Sequence, residues 1–210
     1  MRFLIVTAVK AEAEAASGID DTVVVAGGIG RTNAAAATTQ ALIEQGPFDA
    51  VLSVGVAGSL PGADLALGET LVADACVYFE EGLLTPEAFL DMGAMGFSLG
   101  RFEGNIVPAD EELLDRVLER VPVGHIATVA TCSGSDLQAS LVARRTQAIA
   151  EAMEGAAVVH AALRMGLPGL EIRTISNSTG DRQQQEWDLD GALEALSRSL
   201  PGIVDMLRGD

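Results

Sequence analysis

The residues able to do chemistry fall into a few short clusters rich in glycine and alanine. Ala26-Gly27-Gly28-Ile29-Gly30-Arg31 follows an apolar run and precedes an Ala-rich one. Glycines in such a place let the backbone approach a ligand, and a helix N-terminus attracts anions or polarised oxygens. The segment departs from a dinucleotide fingerprint, because Gly28-x-Gly30-x-x-Asn33 lacks the third glycine and Asp49 precedes the next strand rather than closing it. A plain tight turn would use the same glycines. Ser53-Val54-Gly55-Val56-Ala57-Gly58 reads as a strand ending in a small-residue turn, a common packing device. Met153-Glu154-Gly155-Ala156-Ala157 puts a carboxylate beside small residues at a helix start. It suits either a first-turn acid or an acceptor for the two hydroxyls of a sugar diol. Arg173-Thr174-Ile175-Ser176-Asn177 ends an apolar run with an amide, where Asn also commonly begins a turn.

Several continuous apolar runs must position these clusters. Phe3–Thr7, Thr22–Ala26, Ala50–Val54, Glu69–Tyr78, Ile126–Thr131 and Leu170–Ser176 have the pattern of strands covered on both faces. Between them Thr32–Gln45 reads as a helix, capped by Thr32 or Asn33 and stopped by Gly46-Pro47. Glu111–Arg120, Asp136–Met153, Glu154–Met165 and Leu189–Leu207 are the other helical segments. The result is one α/β domain over residues 1–210, a three-layer α/β/α arrangement with a mixed, mostly parallel central sheet. Lys10–Glu12, Gly27–Arg31, Gly55–Gly58, Thr131–Asp136 and Asn177–Arg182 lie just beyond strand ends, where open α/β sheets bind ligands. Glu80–Pro108, with scattered Gly and Phe, is the least regular stretch and the best candidate for a substrate-covering loop.

Composition narrows the partners. The formal net charge is -17, from thirteen Lys and Arg against thirty Asp and Glu. Such a surface repels phosphate backbones and anionic lipid, so neither nucleic acid nor a membrane surface is an expected partner. Aromatics are only 4%, leaving Ala, Val, Leu and Ile to build the core. Cys76 and Cys132 have no C-x-x-C spacing and read as free thiols in a reducing cytosol. His125 and His160 share no zinc-like spacing with them, so neither a metal nor another cofactor is expected. No signal core or membrane-length apolar run appears, and the expectation is a cytoplasmic enzyme.

Taken together, the clusters are more specific than any one of them. The chain resembles the nucleoside phosphorylase and nucleosidase superfamily, in the branch of methylthioadenosine/S-adenosylhomocysteine nucleosidases. The anchors are the N-terminal strand leading to Glu12, Gly27-Gly28-Ile29-Gly30, Gly55-Val56-Ala57-Gly58, Met153-Glu154-Gly155-Ala156-Ala157 and Arg173-Thr174-Ile175-Ser176-Asn177. Within that branch, Ile175-Ser176-Asn177-Ser178-Thr179-Gly180-Asp181-Arg182 followed by Trp187-Asp188 is similar to the futalosine hydrolase family.

The resemblance implies a nucleoside substrate and a division of labour. Glu12 takes a proton from the attacking water, and Arg173 orients Glu12 or the water. Met153 and Glu154 grip the ribose, while Gly28, Gly30, Val56 and Ser176 complete the substrate site. Asn177 faces the purine at its imidazole nitrogen and six-position, where adenine-cleaving relatives carry Asp. An amide pairs one donor and one acceptor with a 6-oxopurine, but meets two donors on a protonated 6-aminopurine. Phosphorolytic members hold phosphate with an arginine and a serine at the positions of Ser53 and Val56. Losing both removes charge-assisted donors worth roughly 1.5–3 kcal/mol each, which favours water as nucleophile. For the tail of the substrate, Arg31, Arg101 and Arg182 are the candidate carboxylate readers and Phe89, Phe97 and Phe102 the candidate wall. The resemblance also implies a homodimer. The rival readings are a methylthioadenosine/S-adenosylhomocysteine nucleosidase, a phosphorolytic transferase, a non-catalytic purine-binding protein and a dinucleotide-dependent oxidoreductase.

Overall fold

A computed structural model describes Met1 to Gly209. The strands are β1 (Phe3–Thr7), β2 (Thr22–Ala26), β3 (Ala50–Ser59), β4 (Thr70–Tyr78), β5 (Gly82–Leu84), β6 (Phe89–Asp91), β7 (Ile106–Pro108), β8 (Val123–Thr128), β9 (Ala150–Ala152) and β10 (Gly169–Ser178). The helices are α1 (Lys10–Ala15), α2 (Arg31–Gln45), α3 (Glu111–Asp115), α4 (Asp136–Thr146), α5 (Gly155–Arg164) and α6 (Leu189–Arg208).

The main sheet runs β10-β4-β8-β9-β3-β1-β2, and β10 pairs β3 as well. That extra pairing curls the sheet until β3, β10, β4, β8 and β9 form a closed ring, with β1 and β2 extending from it. Pairings of β1 with β2 and β3, β3 with β10, β4 with β8, and β8 with β9 are parallel; those of β10 with β4, β3 with β9, and β4 with β7 are antiparallel. The sheet is therefore mixed, as the sequence predicts, with a barrel-like closure that the three-layer expectation did not contain.

Alternation along β1 shows how helices cover the open end. Phe3 and Ile5 pack into one core with Leu196, Leu200 and Ile203 of α6. Leu4 and Val6 face the other way, against Ala34 and Ala41 of α2 and Val158 of α5. Strands buried on both faces read as unbroken apolar runs for this reason.

Three departures from the sequence reading have local causes. First, β3 does not stop at Val54 but continues through the glycine segment to Ser59, because β10 pairs it along that length. Second, α2 starts at Arg31 with Gly30 as N-cap, one residue before the expected start, and the cap makes no side-chain hydrogen bond. Third, the Asp136–Met153 helix is two elements. Gln147 adopts a left-handed conformation (φ 56) that ends α4, and Ala150–Ala152 then form β9 between β3 and β8. Ala-Glu-Ala has no strand preference of its own; pairing on both sides overrides it. Within Glu80–Pro108, β5 and β6 form a two-stranded ladder and β7 joins the edge of β4.

Candidate active site

A cavity of about 610 Å³ opens at the ends of β3 and β10. Its wall includes Glu12, Val56, Met153, Glu154, Ser176 and Asn177. Six of the residues singled out in the sequence therefore meet, although up to 165 positions separate Glu12 from Asn177 (177 − 12 = 165).

Glu12 is the third residue of α1, and its carboxylate turns back over the helix start. Oε2 accepts from the backbone N–H of Ala8 (2.9 Å) and Val9 (3.1 Å). Oε1 accepts from the N–H of Val56 on β3 at 2.9 Å. Donors on two elements thus fix a side chain that is only 4% exposed. Val56 contributes this backbone donor while its apolar side chain lines the cavity.

Arg173 lies directly behind the wall, 1% exposed, rather than in it. Its Nε donates to Glu171 Oε1 at 2.8 Å and Nη2 to Ser53 Oγ at 3.1 Å. Nη2 is also 3.6 Å from Glu154 Oε2. Register explains the set: Glu171 opposes Ser53 and Arg173 opposes Gly55 on the neighbouring strand. Burial alone would lower the guanidinium's pKa, but Glu171, Glu154 and Glu12 outweigh it and raise it above the ordinary arginine value. Burial likewise pushes the Glu171 carboxyl up, while Arg173 pulls it back. Ser53 is fully buried and serves Arg173, so it does not reach the cavity as the position suggested.

Glu154 is the N-cap residue of α5. Its Oε1 accepts from the N–H of Gly30 at 2.9 Å, so the Gly27–Arg31 turn is tied to the carboxylate. Gly28 (φ +100) and Gly30 (φ +88) take conformations that favour glycine, and this bends the turn towards Glu154. Neither lines the cavity; Ile29 between them does.

Asn177 owes its place to a bulge. In β10 the register slips between Ile175 and Asn177, so Asn177 rather than Ser176 opposes Gly58. Bulges re-aim side chains in this way. Asn177 Oδ1 lies 2.9 Å from Ser176 Oγ, and Nδ2 donates to the Ser178 carbonyl at 2.9 Å. Each end of the amide keeps capacity for one further hydrogen bond.

Other wall residues were not singled out individually, except Trp187, which belongs to the Trp187-Asp188 pair that carries the family resemblance. Ser133, Glu151, Gln185, Trp187 and Leu189 line the cavity, and Arg182 stacks over the Trp187 ring at 4.4 Å. The strand-end segments Thr131–Asp136 and Asn177–Arg182 were the available signal; Glu151 had none, being hidden in the supposed helix. Of the three arginines considered for the tail, Arg182 alone lines the cavity. Arg31 is paired with Glu81 at 2.5 Å. Phe89, Phe97 and Phe102 are absent from the wall, so Glu80–Pro108 does not cover the cavity in this chain. Phe89 instead carries Arg145 on its ring, and Phe102 meets His160 edge-on. Among the described residues the wall holds three carboxylates, Glu12, Glu151 and Glu154, against the single cation Arg182.

The model of the phosphorylase superfamily matches residues 15–205. This chain belongs to the phosphorylase superfamily. Among superfamily members, it is 35% identical to a futalosine hydrolase from Acidothermus cellulolyticus, over 95% of this chain and 89% of that one. The futalosine hydrolase of Streptomyces coelicolor is 31% identical, over 87% of this chain and 78% of its own. A solved structure of the 5'-methylthioadenosine/S-adenosylhomocysteine nucleosidase from S. pneumoniae shares the superfamily fold, with a TM-score of 0.80 at 20% identity, covering 99% of this chain and all of that one.

Proposed function

We propose that this chain hydrolyses the N-glycosidic bond of a 6-oxopurine nucleoside, with futalosine as substrate and hypoxanthine and dehypoxanthine futalosine as products, a step of menaquinone biosynthesis. The observation that carries the reading is the meeting of Glu12, Glu154 and Asn177 on one cavity. Similarity to the futalosine hydrolases names the nucleoside.

As the glycosidic bond lengthens, the ribose gains oxocarbenium character and the departing base gains negative charge. Glu12 removes a proton from the attacking water, a role worth about 10²–10⁴ in rate. Its fixed carboxylate, with three N–H donors already accepted, presents its one remaining lone pair to that water. Glu154 and Met153 hold the ribose, and Asn177 holds the base. Arg173 acts from behind, keeping Glu154 in place and balancing the charge of the acids around it. The base receives its proton from water or another group, because an amide is not an acid.

The wall's charge supports hydrolysis over phosphorolysis. A phosphate dianion would face Glu12, Glu151 and Glu154, with Arg173 already engaged by Glu171, Ser53 and Glu154. Neutral water meets no such repulsion. The proposal includes action as a cytoplasmic homodimer, supported by the family resemblance. Release of free base from futalosine and from the adenosine-type analogue, followed with and without phosphate, tests it. The expected result is hypoxanthine release at a rate indifferent to phosphate; a requirement for phosphate, or preference for the 6-amino substrate, overturns it.

A further inference from the structure

Glu151 takes no part in the chemistry above, yet it lines the same cavity while only 5% exposed. Its position follows from strand register. On β9, Glu151 opposes Gly58 of β3; on β10, Asn177 opposes the same Gly58. Residues in register on neighbouring strands project to the same face. Strands lie about 4.8 Å apart, so the amide and the carboxylate stand one strand to either side of a glycine. A side chain at Gly58 would close the gap: its Cβ would sit 2.9 Å from Asn177 Nδ2 and 2.8 Å from Thr179 Cγ2. The outcome is a slot one strand wide, floored by glycine and flanked by hydrogen-bonding groups.

Ser133 clamps the carboxylate. Its N–H donates to Glu151 Oε1 at 2.7 Å and its hydroxyl to Oε2 at 2.6 Å. Gln185 Nε2 in turn donates to the Ser133 carbonyl at 2.9 Å, which fixes the loop. Burial pushes the Glu151 carboxyl above the usual range, and both Ser133 donors pull it back. Each carboxylate oxygen keeps a lone pair free, and an ionised carboxylate only accepts.

We propose that Glu151, positioned by Ser133, is a specificity-determining residue that accepts the N1–H of a 6-oxopurine on the side of the slot opposite Asn177. This rests on the nucleosidase reading and extends it. A 6-oxopurine carries a proton on N1, beside its oxo group; a 6-aminopurine presents a bare lone pair there. A carboxylate attracts the first and repels the second. Selection for the oxo base then comes from both edges, Asn177 at the imidazole nitrogen and oxo group and Glu151 at N1. Loss of one hydrogen bond to a charged group corresponds to about tenfold to hundredfold in affinity.

The test is calorimetric binding of hypoxanthine, 1-methylhypoxanthine and adenine to the wild-type protein, Glu151→Gln and Ser133→Ala, with futalosine cleavage followed in parallel. The wild type should prefer hypoxanthine over its 1-methyl derivative by about tenfold or more. Glu151→Gln should lose about tenfold for hypoxanthine while 1-methylhypoxanthine changes by less than about threefold, and Ser133→Ala should move the same ratio less. Adenine should bind Glu151→Gln at least as well as wild type, because the amide can donate to N1. An equal loss for all three bases, or no preference for hypoxanthine in the wild type, overturns the assignment. Futalosine cleavage by the wild type with an unchanged base ranking in Glu151→Gln also overturns it, while leaving the proposed reaction standing. A ranking that depends on Glu151 in a protein unable to cleave futalosine supports the assignment and overturns the reaction.

Discussion

Gly55→Ala is a sharp perturbation of the proposed catalytic arrangement, because it adds one methyl group where two charged side chains converge. The new Cβ would fall 2.5 Å from Arg173 Nη1, closer still to Glu12 Oε1, and 2.8 Å from Glu12 Cδ. Carbon atoms normally rest about 3.5–4.0 Å apart, so something must move. Arg173 has little freedom, held by Glu171 and Ser53 inside the sheet. Glu12 should move instead, giving up the Val56 N–H that fixes Oε1. Overpacking of this kind costs about 1–3 kcal/mol, or roughly 2–12 °C of melting temperature at this chain length. The kinetic effect should be larger. If Glu12 is the base, its displacement forfeits much of a factor of about 10²–10⁴. The assay is single-turnover release of hypoxanthine from futalosine, with thermal unfolding followed by circular dichroism. We expect a fall of at least about a hundredfold in rate, and a Glu12→Gln/Gly55→Ala double variant no slower than Glu12→Gln alone, since both changes remove the same function. A folded Gly55→Ala protein within about threefold of wild-type rate, or losses that simply multiply in the double variant, would refute the reasoning.

Asn177→Asp should raise the ratio of kcat/KM for the 6-amino over the 6-oxo substrate by about tenfold or more, and an unchanged ratio removes Asn177 from base selection. Arg173→Met strands Glu171 without its cation; breaking a buried pair costs about 3–5 kcal/mol, so melting should drop by about 6–20 °C and recover in part with Glu171→Gln. Coincident melts of wild type and Arg173→Met would show that the pair carries no such weight. His160 has its pKa lowered by burial and by Arg164. A group depressed in the folded state contributes stability above its unfolded pKa and loses it as pH falls through the folded value. The melting advantage of wild type over His160→Gln should therefore shrink between pH 7.5 and pH 5.5, and an advantage that grows on acidification would contradict the sign.

Much of the site was legible because its signals are local. A glycine pair between a strand and a helix, or a carboxylate before Gly-Ala-Ala, announces itself in a few residues. Strands buried on both faces announced themselves in the same way, as β1 and β10 illustrate with no exposed apolar residue. What escaped depends on distant pairing. β9 looks helical alone and becomes a strand only between β3 and β8, which concealed Glu151. The sheet's closure required β10 to pair β3 and β4 together, a fact of register that no single segment encodes. Ser53 was placed near the nucleophile by position along the chain, yet strand alternation turns it to Arg173 behind the wall. The phenylalanines of Glu80–Pro108, considered as a wall for the substrate tail, pack elsewhere, and the aromatic side chain at the cavity is Trp187.

The wall of the cavity is assembled from pieces as far apart as Ala8 and Leu189. No single element supplies more than a few of them, and the last, Gln185 to Leu189, lie far along the sequence from the first. A molecule cut between these pieces should lose part of the wall, so turnover doubles as a gauge of complete folding. Any stress that unzips β10, the strand joined to both β3 and β4, should silence the enzyme before the remaining helices report damage.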